Sequence, residues 1–360
     1  KQIDFEISIG INNFTHFNLP EKITKICLQS GNCLSEILEV VQWLSQHDFG
    51  LEWLVKRGSK KNMWMDNNDK TGSNPIKDAV DILPEGIRKI VLGRLNEIVG
   101  YEPRIGIMGK TGSGKSSLCN AIFKGEECPV SDVGACTREV KEVRIQFGKR
   151  SLYLVDIPGV GESAERDSEY ENLYSGLMPK LDLILWVIKG DDRVLAPDER
   201  FYKEVLIPAG GKSKTLFVLN QVDKIEPFRE WDEQNCCPSP RQMNNIAEKK
   251  EYISQYLGFP EHPIVAVSAN EGYNVTHLVE EMVRAFPKYA QSSVVAQVKE
   301  EHKTEKVIEE ATDGFGDTVD RVIDEIIDMA PIPKPVATLA KAAKKVVVDV
   351  CKKIWSSIFG

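Results

Sequence analysis

The chain has 360 residues, 42% of them hydrophobic and 28% charged, and a formal net charge of −8. Such a composition suits an ordinary globular protein with one large domain or two smaller ones. The acidic balance excludes a basic nucleic-acid-binding surface spread over the whole chain, while leaving room for a local patch.

Residues 1–64 read as a separate piece. Leu34, Ile37, Leu38, Val41 and Leu44 recur at helical spacing and predict a helix near Leu34–His47. Ser59–Ser73 is polar and rich in Asn, Asp and Gly, as a linker would be. From Ile76 to Val99 the pattern is helical again, with Pro84 as the first residue of a second helix and Ile87, Ile90, Val91, Leu95 and Ile98 as its apolar stripe.

The most informative stretch follows. Arg104–Met108 is short and apolar, as a buried strand is, and Leu118–Phe123 has helical spacing. Between them lie Gly109, Lys110, Thr111, Gly112, Ser113, Gly114, Lys115, Ser116 and Ser117, which fit G-x-x-x-x-G-K-[ST] without a mismatch. Glycines let such a loop curl so that successive N–H groups face phosphate oxygens, and the helix N-terminus favours negative charge. Lys115 is then expected to reach the β- and γ-phosphates and Ser116 to ligate Mg²⁺.

Lys124–Glu139 reads as a loop. Its one threonine, Thr137, is the candidate hydroxyl that closes over Mg²⁺ and the γ-phosphate, with Ser131 the weaker choice. Val140–Phe147 and Leu152–Ile157 predict two paired strands. The second ends in Asp156-Ile157-Pro158-Gly159, where the carboxylate can hold Mg²⁺ through water and the Gly159 N–H can sense the γ-phosphate. Leu183–Ile188 and Leu216–Leu219 predict buried strands. The latter runs into Asn220-Gln221-Val222-Asp223-Lys224, and the Asp223 carboxylate can accept both N1–H and N2–H of guanine, a donor pair adenine lacks. Pro263–Val267 leads to Ser268-Ala269-Asn270, whose Ala269 N–H is expected to contact guanine O6. Glu226–Pro240 looks like a loop, and Arg241–Leu257 and Asn274–Phe286 like covering helices.

Beyond Ser292 the composition shifts. Lys299–Asp328 is acidic with helical spacing, Pro331–Pro335 breaks it, and Val336–Phe359 reads as one basic amphipathic helix. Such a helix can lie on an anionic membrane, dock on a partner, or pack on its own domain facing the acidic segment.

Five stations thus stand in GTPase order: GKTGSGKS, Thr137, DIPG, NQVD and SAN. Over residues 76–290 the chain resembles the TRAFAC-class, Era/TrmE/septin-like small GTPases. From about Leu83 it is most similar to bacterial, often prophage-borne, YfjP-type members, known loosely as ribosome-binding GTPases. The loop form also resembles that of immunity-related and septin GTPases, some of which work on membranes or as polymers. The resemblance implies an α/β P-loop fold: a mostly parallel sheet with an antiparallel second strand, helices on both faces, and helical extensions at each end. It implies GTP binding and Mg²⁺-dependent hydrolysis to GDP, used as a switch. Lys115, Thr137 and Gly159 carry the chemistry; Ser116, Thr137 and Asp156 hold the metal.

Three departures stand out. Val160 replaces the glutamine that orients water in Ras-like enzymes, so intrinsic turnover is expected to be slow. Gly112 stands where some relatives carry a K⁺-recruiting asparagine, so no K⁺ activation is expected. Gln221 replaces lysine in the guanine motif, losing some packing over the base. The expected organisation is an extension over 1–75, the G domain over 76–290 and a tail over 291–360. The partner classes left open are a second copy of the chain, ribosome or RNA, and an anionic membrane; no reading of DNA sequence is expected. A GTPase that works through the tail on membranes or in oligomers, and a nucleotide-gated interaction module with little turnover, are the alternatives.

The eight cysteines show no C-x-x-C pair or zinc spacing, and the five histidines are scattered, so a reduced cytoplasmic setting without a dedicated metal centre is expected. No apolar run has bilayer-spanning length, and no secretory signal is read.

Overall fold

The computed structural model describes residues 75–125, 141–147, 149–157, 173–329 and 333–360. The helix near Leu34–His47 falls outside them, as do Ser131, Thr137, Gly159 and Val160. The described residues divide into two compact units, those within 96–318 together with 355–360, and 75–95 together with 319–354.

The first unit is built on a six-stranded sheet of order β2-β3-β1-β4-β5-β6. Its strands are β1 (Arg104–Met108), β2 (Lys141–Phe147), β3 (Arg150–Asp156), β4 (Leu183–Lys189), β5 (Thr215–Asn220) and β6 (Val265–Ala266). Only β2 runs antiparallel, paired to β3 across the short turn; the other neighbours are parallel. The alternation along β4 shows why both faces are covered. Ile184, Trp186 and Ile188 join a core with Tyr174, Tyr202, Phe217 and Leu257, while Leu183, Leu185 and Val187 are equally buried on the opposite face. A parallel strand buried on both sides needs such a continuous apolar run. The expected α/β class, with its antiparallel second strand, is therefore present.

The helices follow the sequence pattern with corrections at their ends. Helix α1 is Pro75–Val80 and α2 is Glu85–Val99, one residue later than expected. The Pro84 carbonyl instead accepts from Ile87 and Arg88, the role of a cap. Helix α3 (Lys115–Ile122) starts inside the glycine loop rather than at Leu118. Helices α4 (Ala196–Phe201), α5 (Pro240–Leu257) and α6 (Val275–Ala285) cover the sheet. Ser239 and Gln242 close α5 with a capping box. The loop before α5 holds a short turn of helix at Phe228–Glu230 and an Asp232–Cys237 bridge.

Helix α7 (Lys288–Gln297) was not legible in sequence. Every residue from Ala290 to Gln297 is buried. The chain after it returns to α3, with Lys299 N–H on Ile122 O at 3.0 Å and Lys124 N–H on Gln297 O at 2.8 Å. His302 is buried between Thr276 Oγ1 and Ala121 O, a structural histidine. Residues 291–318, assigned by sequence to the tail, lie in the same compact unit as the sheet.

Helix α8 (Glu305–Met329) carries the chain from this unit into the other. There α9 (Lys334–Lys353) buries Ala340, Ala343, Val346, Val347 and Cys351. Lys344 pairs with Asp320 and Asp324, both at 2.9 Å. The basic helix thus faces the acidic one, the intramolecular alternative named above. Two details differ from expectation: Pro335 sits in the first turn of α9, where its missing N–H costs nothing, and the helix stops at Ile354. The short α10 (Trp355–Phe359) belongs to the sheet-bearing unit. There Trp355 donates to Ser292 Oγ at 2.8 Å, and Phe359 packs on Phe315 and under the Arg150 guanidinium.

Candidate functional site

At the carboxyl end of β1 the chain turns through Gly109–Ser117 into α3. Gly109 adopts φ 139° and Gly114 φ 86°. A Cβ on Gly109 would stand 2.2 Å from the Val187 carbonyl oxygen, and one on Gly114 would stand 2.5 Å from Asn220 Nδ2. Neither position admits another residue without moving the loop. Lys115 opens α3 and is 9% exposed. Its Nζ bends back over the loop and donates to Gly109 O at 3.0 Å and Lys110 O at 3.3 Å. Among the described residues this ammonium has no carboxylate partner. Thr111 and Gly112 are exposed, and Ser116 and Ser117 half-buried.

The loop is held from outside by the segment after β5. Asn220 Nδ2 donates to Ser113 O at 2.9 Å and Gly114 O at 3.4 Å, and Gln221 Nε2 to Gly112 O at 2.8 Å. Three consecutive loop carbonyls are thus gathered by two adjacent amides. A trans peptide sets its N–H opposite its C=O, so fixing these carbonyls also fixes where the following N–H groups point. The same segment reaches the turn after β6. Ala269 N–H donates to Asn220 Oδ1 at 3.1 Å, and Ser268 Oγ to Asp223 Oδ1 at 2.6 Å. The Ala269 N–H, read from sequence as a contact for guanine O6, is here donated to Asn220. Asn270 is exposed. Asp156 ends β3 opposite Ile107, and Ile157 N–H bonds Ile107 O at 3.1 Å. The carboxylate thus stands at the strand end beside the loop.

One part of the site carried no sequence signal. Lys110 Nζ lies 2.7 Å from Asp192 and 2.9 Å from Asp198, and donates to Val194 O. Asp198 is 3% exposed and also takes Trp186 Nε1 at 3.3 Å. Burial pulls the Lys110 ammonium down, but the hydrogen bonds to both aspartates outweigh it and its pKa stands above the usual lysine value. Burial opposes charge on Asp192 as well, yet the Lys110 hydrogen bond holds its pKa below the usual range. For Asp198 burial wins and the pKa is raised. Aspartates after an apolar strand have no motif that would reveal this clamp.

Residues 104–221 match the family model described as 50S ribosome-binding GTPase. The chain is 43% identical to the uncharacterized protein YfjP of Escherichia coli K12 over 79% of its own length and 97% of the relative's. To YkfA of the same organism it is 42% identical, over 81% and 100%. It is also 30% identical to GTPase Der of Leptospira borgpetersenii, covering 78% of this chain and 49% of that one. The chain belongs to the YfjP/YkfA family of TRAFAC-type P-loop GTPases. Guanine-nucleotide binding is a property of that GTPase class, and the glycine loop, Asn220 and Asp223 occupy one continuous end of this family member's sheet.

Proposed function

We propose that this protein binds GTP and hydrolyses it to GDP and phosphate with Mg²⁺, acting in the cytoplasm as a nucleotide-dependent switch. The observation that carries the reading is the bridge made by Asn220, three residues before Asp223: its side chain touches both the phosphate loop and the Ser268–Ala269 turn. A triphosphate along the loop would leave its base within reach of Asp223, whose second oxygen has no protein donor among the described residues. Ser116 and Asp156 supply hard oxygen donors of the kind Mg²⁺ prefers, at the start of α3 and the end of β3. With Thr137 they would hold the ion, which would neutralise charge between the β- and γ-phosphates. Lys115 would leave the loop carbonyls for the phosphate oxygens, and Gly159 would report the γ-phosphate.

Val160 favours slow turnover, so a nucleotide-gated module is the second reading. Ribosome or RNA is the effector class that the family description favours. A second copy of the chain is an alternative partner. Membrane docking by α9 would require exposing a stripe that is buried in this fold. The test is phosphate release from GTP by the wild type with Mg²⁺ and with EDTA. Slow Mg²⁺-dependent release supports the enzyme, tight GTP binding without release supports the gated module, and no binding of either guanine nucleotide contradicts both.

A further inference from the structure

Strand β2 ends the sheet, with β3 on one side and, among the described residues, no strand on the other. Which of its backbone groups face the open side follows from β3. Tyr153 N–H, within β3, donates to Pro103 O at 2.8 Å, and Ile157 N–H, just after it, to Ile107 O at 3.1 Å, both on the β1 side. Backbone groups alternate in direction along a strand, so the odd-numbered residues of β3 bond toward β1 and the even-numbered ones toward β2. Glu142 and Arg144 stand opposite Val155 and Tyr153, and Val143 opposite Leu154. Val143 therefore bonds inward, while the N–H and C=O groups of Glu142 and Arg144 point to the open edge. The strand reads KEVRIQF, with neither a proline nor a glycine to interrupt that edge. The Glu142 and Arg144 side chains are exposed on one face, and Val143 and Ile145 are half-buried on the other. Glu142 accepts from Arg104 Nη1 at 2.8 Å, and Arg144 pairs with Glu102.

We infer that β2 is an interaction surface for a second copy of this chain, the two β2 strands pairing antiparallel about a two-fold axis at Val143. Charge selects that register. Centring on Val143 matches outward backbone groups with outward ones and sets Glu142 against the partner's Arg144 twice, once on each side of the axis. Centring on Glu142 or on Arg144 would set like charges directly opposite each other. Each new ion pair also extends one already present in the chain: Glu102, Arg144, the partner's Glu142 and the partner's Arg104 alternate in sign across the seam. Charges of one sign at positions 142 and 144 would guard the edge against a second copy; opposite signs two residues apart fit one. Nothing in this pairing depends on bound nucleotide, so its test is independent of the GTP reading.

The experiment is sedimentation equilibrium of the full chain over a range of concentrations, for the wild type, Arg144→Pro, Glu142→Arg and Arg144→Glu. The wild type should dimerise reversibly. Arg144→Pro removes only an outward N–H, which an edge strand tolerates, and should stay monomeric. Glu142→Arg and Arg144→Glu should each raise the dimer dissociation constant by about tenfold, since both cross-strand pairs become repulsive. Mixed together, the two should associate to within about threefold of the wild type, because only the mixture sets opposite charges across the seam. These charge variants serve if the proline variant fails to fold. Cross-linking reads the register. Facing Val143 residues would form a non-hydrogen-bonded pair with Cα atoms about 4.5 Å apart, within disulfide reach. Mild oxidation should therefore join Val143→Cys into a covalent dimer well above the wild-type level. Ile145→Cys, about 14 Å along the strands from its counterpart, should behave like the wild type. A wild type that is monomeric at every concentration overturns the inference. So does a dimer that Arg144→Pro and both charge variants leave intact, a mixture that fails to recover association, or cross-linking at Ile145→Cys in place of Val143→Cys.

Discussion

Where the strands of the sheet begin, Asp182 is 3% exposed and fully engaged. It accepts from Tyr101 Oη at 2.9 and 3.0 Å, Tyr289 Oη at 2.9 Å and Arg104 N–H at 2.9 Å. Burial and then the Asp182 charge push the Tyr101 phenol upward, so it stays a donor. Where the strands end, Lys115 is nearly as buried, yet among the described residues it meets only loop carbonyls, and the Ser113 hydroxyl is buried with no hydrogen-bond partner among them. Both clusters are polar and both are inside. The first has spent its hydrogen-bonding capacity on the protein and holds the fold. The second keeps capacity in reserve, as a site for an anion must.

The contrast is best broken by substitution at each end. Lys115→Ala should cut GTP affinity or turnover by about a hundredfold or more while leaving the melting temperature nearly unchanged, as expected for a preorganised donor aimed at a ligand. A large loss of stability with intact nucleotide binding would reverse the assignment. Asp182→Ala should do the opposite: unfolding by urea should show a loss of about 3 kcal/mol, since two phenols and a backbone N–H lose their acceptor, with base preference unaltered. Between these extremes lies Lys110→Met. It removes the cation that faces buried Asp198, and a stability loss of about 2 kcal/mol is expected, with the double variant Lys110→Met/Asp198→Asn recovering most of it. No recovery in the double variant would show that the clamp is not a coupled pair.

The smallest effect concerns pH. The folded-state pKa of Asp192 is lowered, so its contribution is present above the unfolded value and is lost as pH falls through the folded one. Asp192→Asn should therefore be less acid-sensitive than the wild type by less than about 1 kcal/mol, read from urea titrations at neutral and acidic pH. Equal acid limbs would mean that Lys110 leans on Asp198 instead.

How legible this was in the sequence depended on the range of the forces involved. β1, the glycine loop and α3 are contiguous, and their glycines mark a backbone shape that few residues can take, so the motif revealed them. Asp223 and Ser268 were legible because each follows an apolar strand within three residues. Helix α7 was hidden because Gln291, Ser292, Ser293 and Gln297 interrupt its apolar spacing although all four are buried. Local periodicity registers one buried face, and this helix is covered on every side. The Lys110 clamp and the Gln221 grip were hidden for a different reason: each joins positions far apart in the chain by one side chain, and no local pattern encodes such a pairing. The break at Ile354 follows from where Trp355 and Phe359 pack, again a tertiary cause.

On the proposed reading, one pocket binds phosphate at the loop and reads guanine at Asp223. The direct measurement is equilibrium binding of GTP and of ATP to the wild type and to Asp223→Ala under identical Mg²⁺ and salt. The wild type should prefer GTP strongly, and the variant should lose that preference while still holding phosphates through the loop. Equal affinity of the wild type for the two nucleotides would contradict the account.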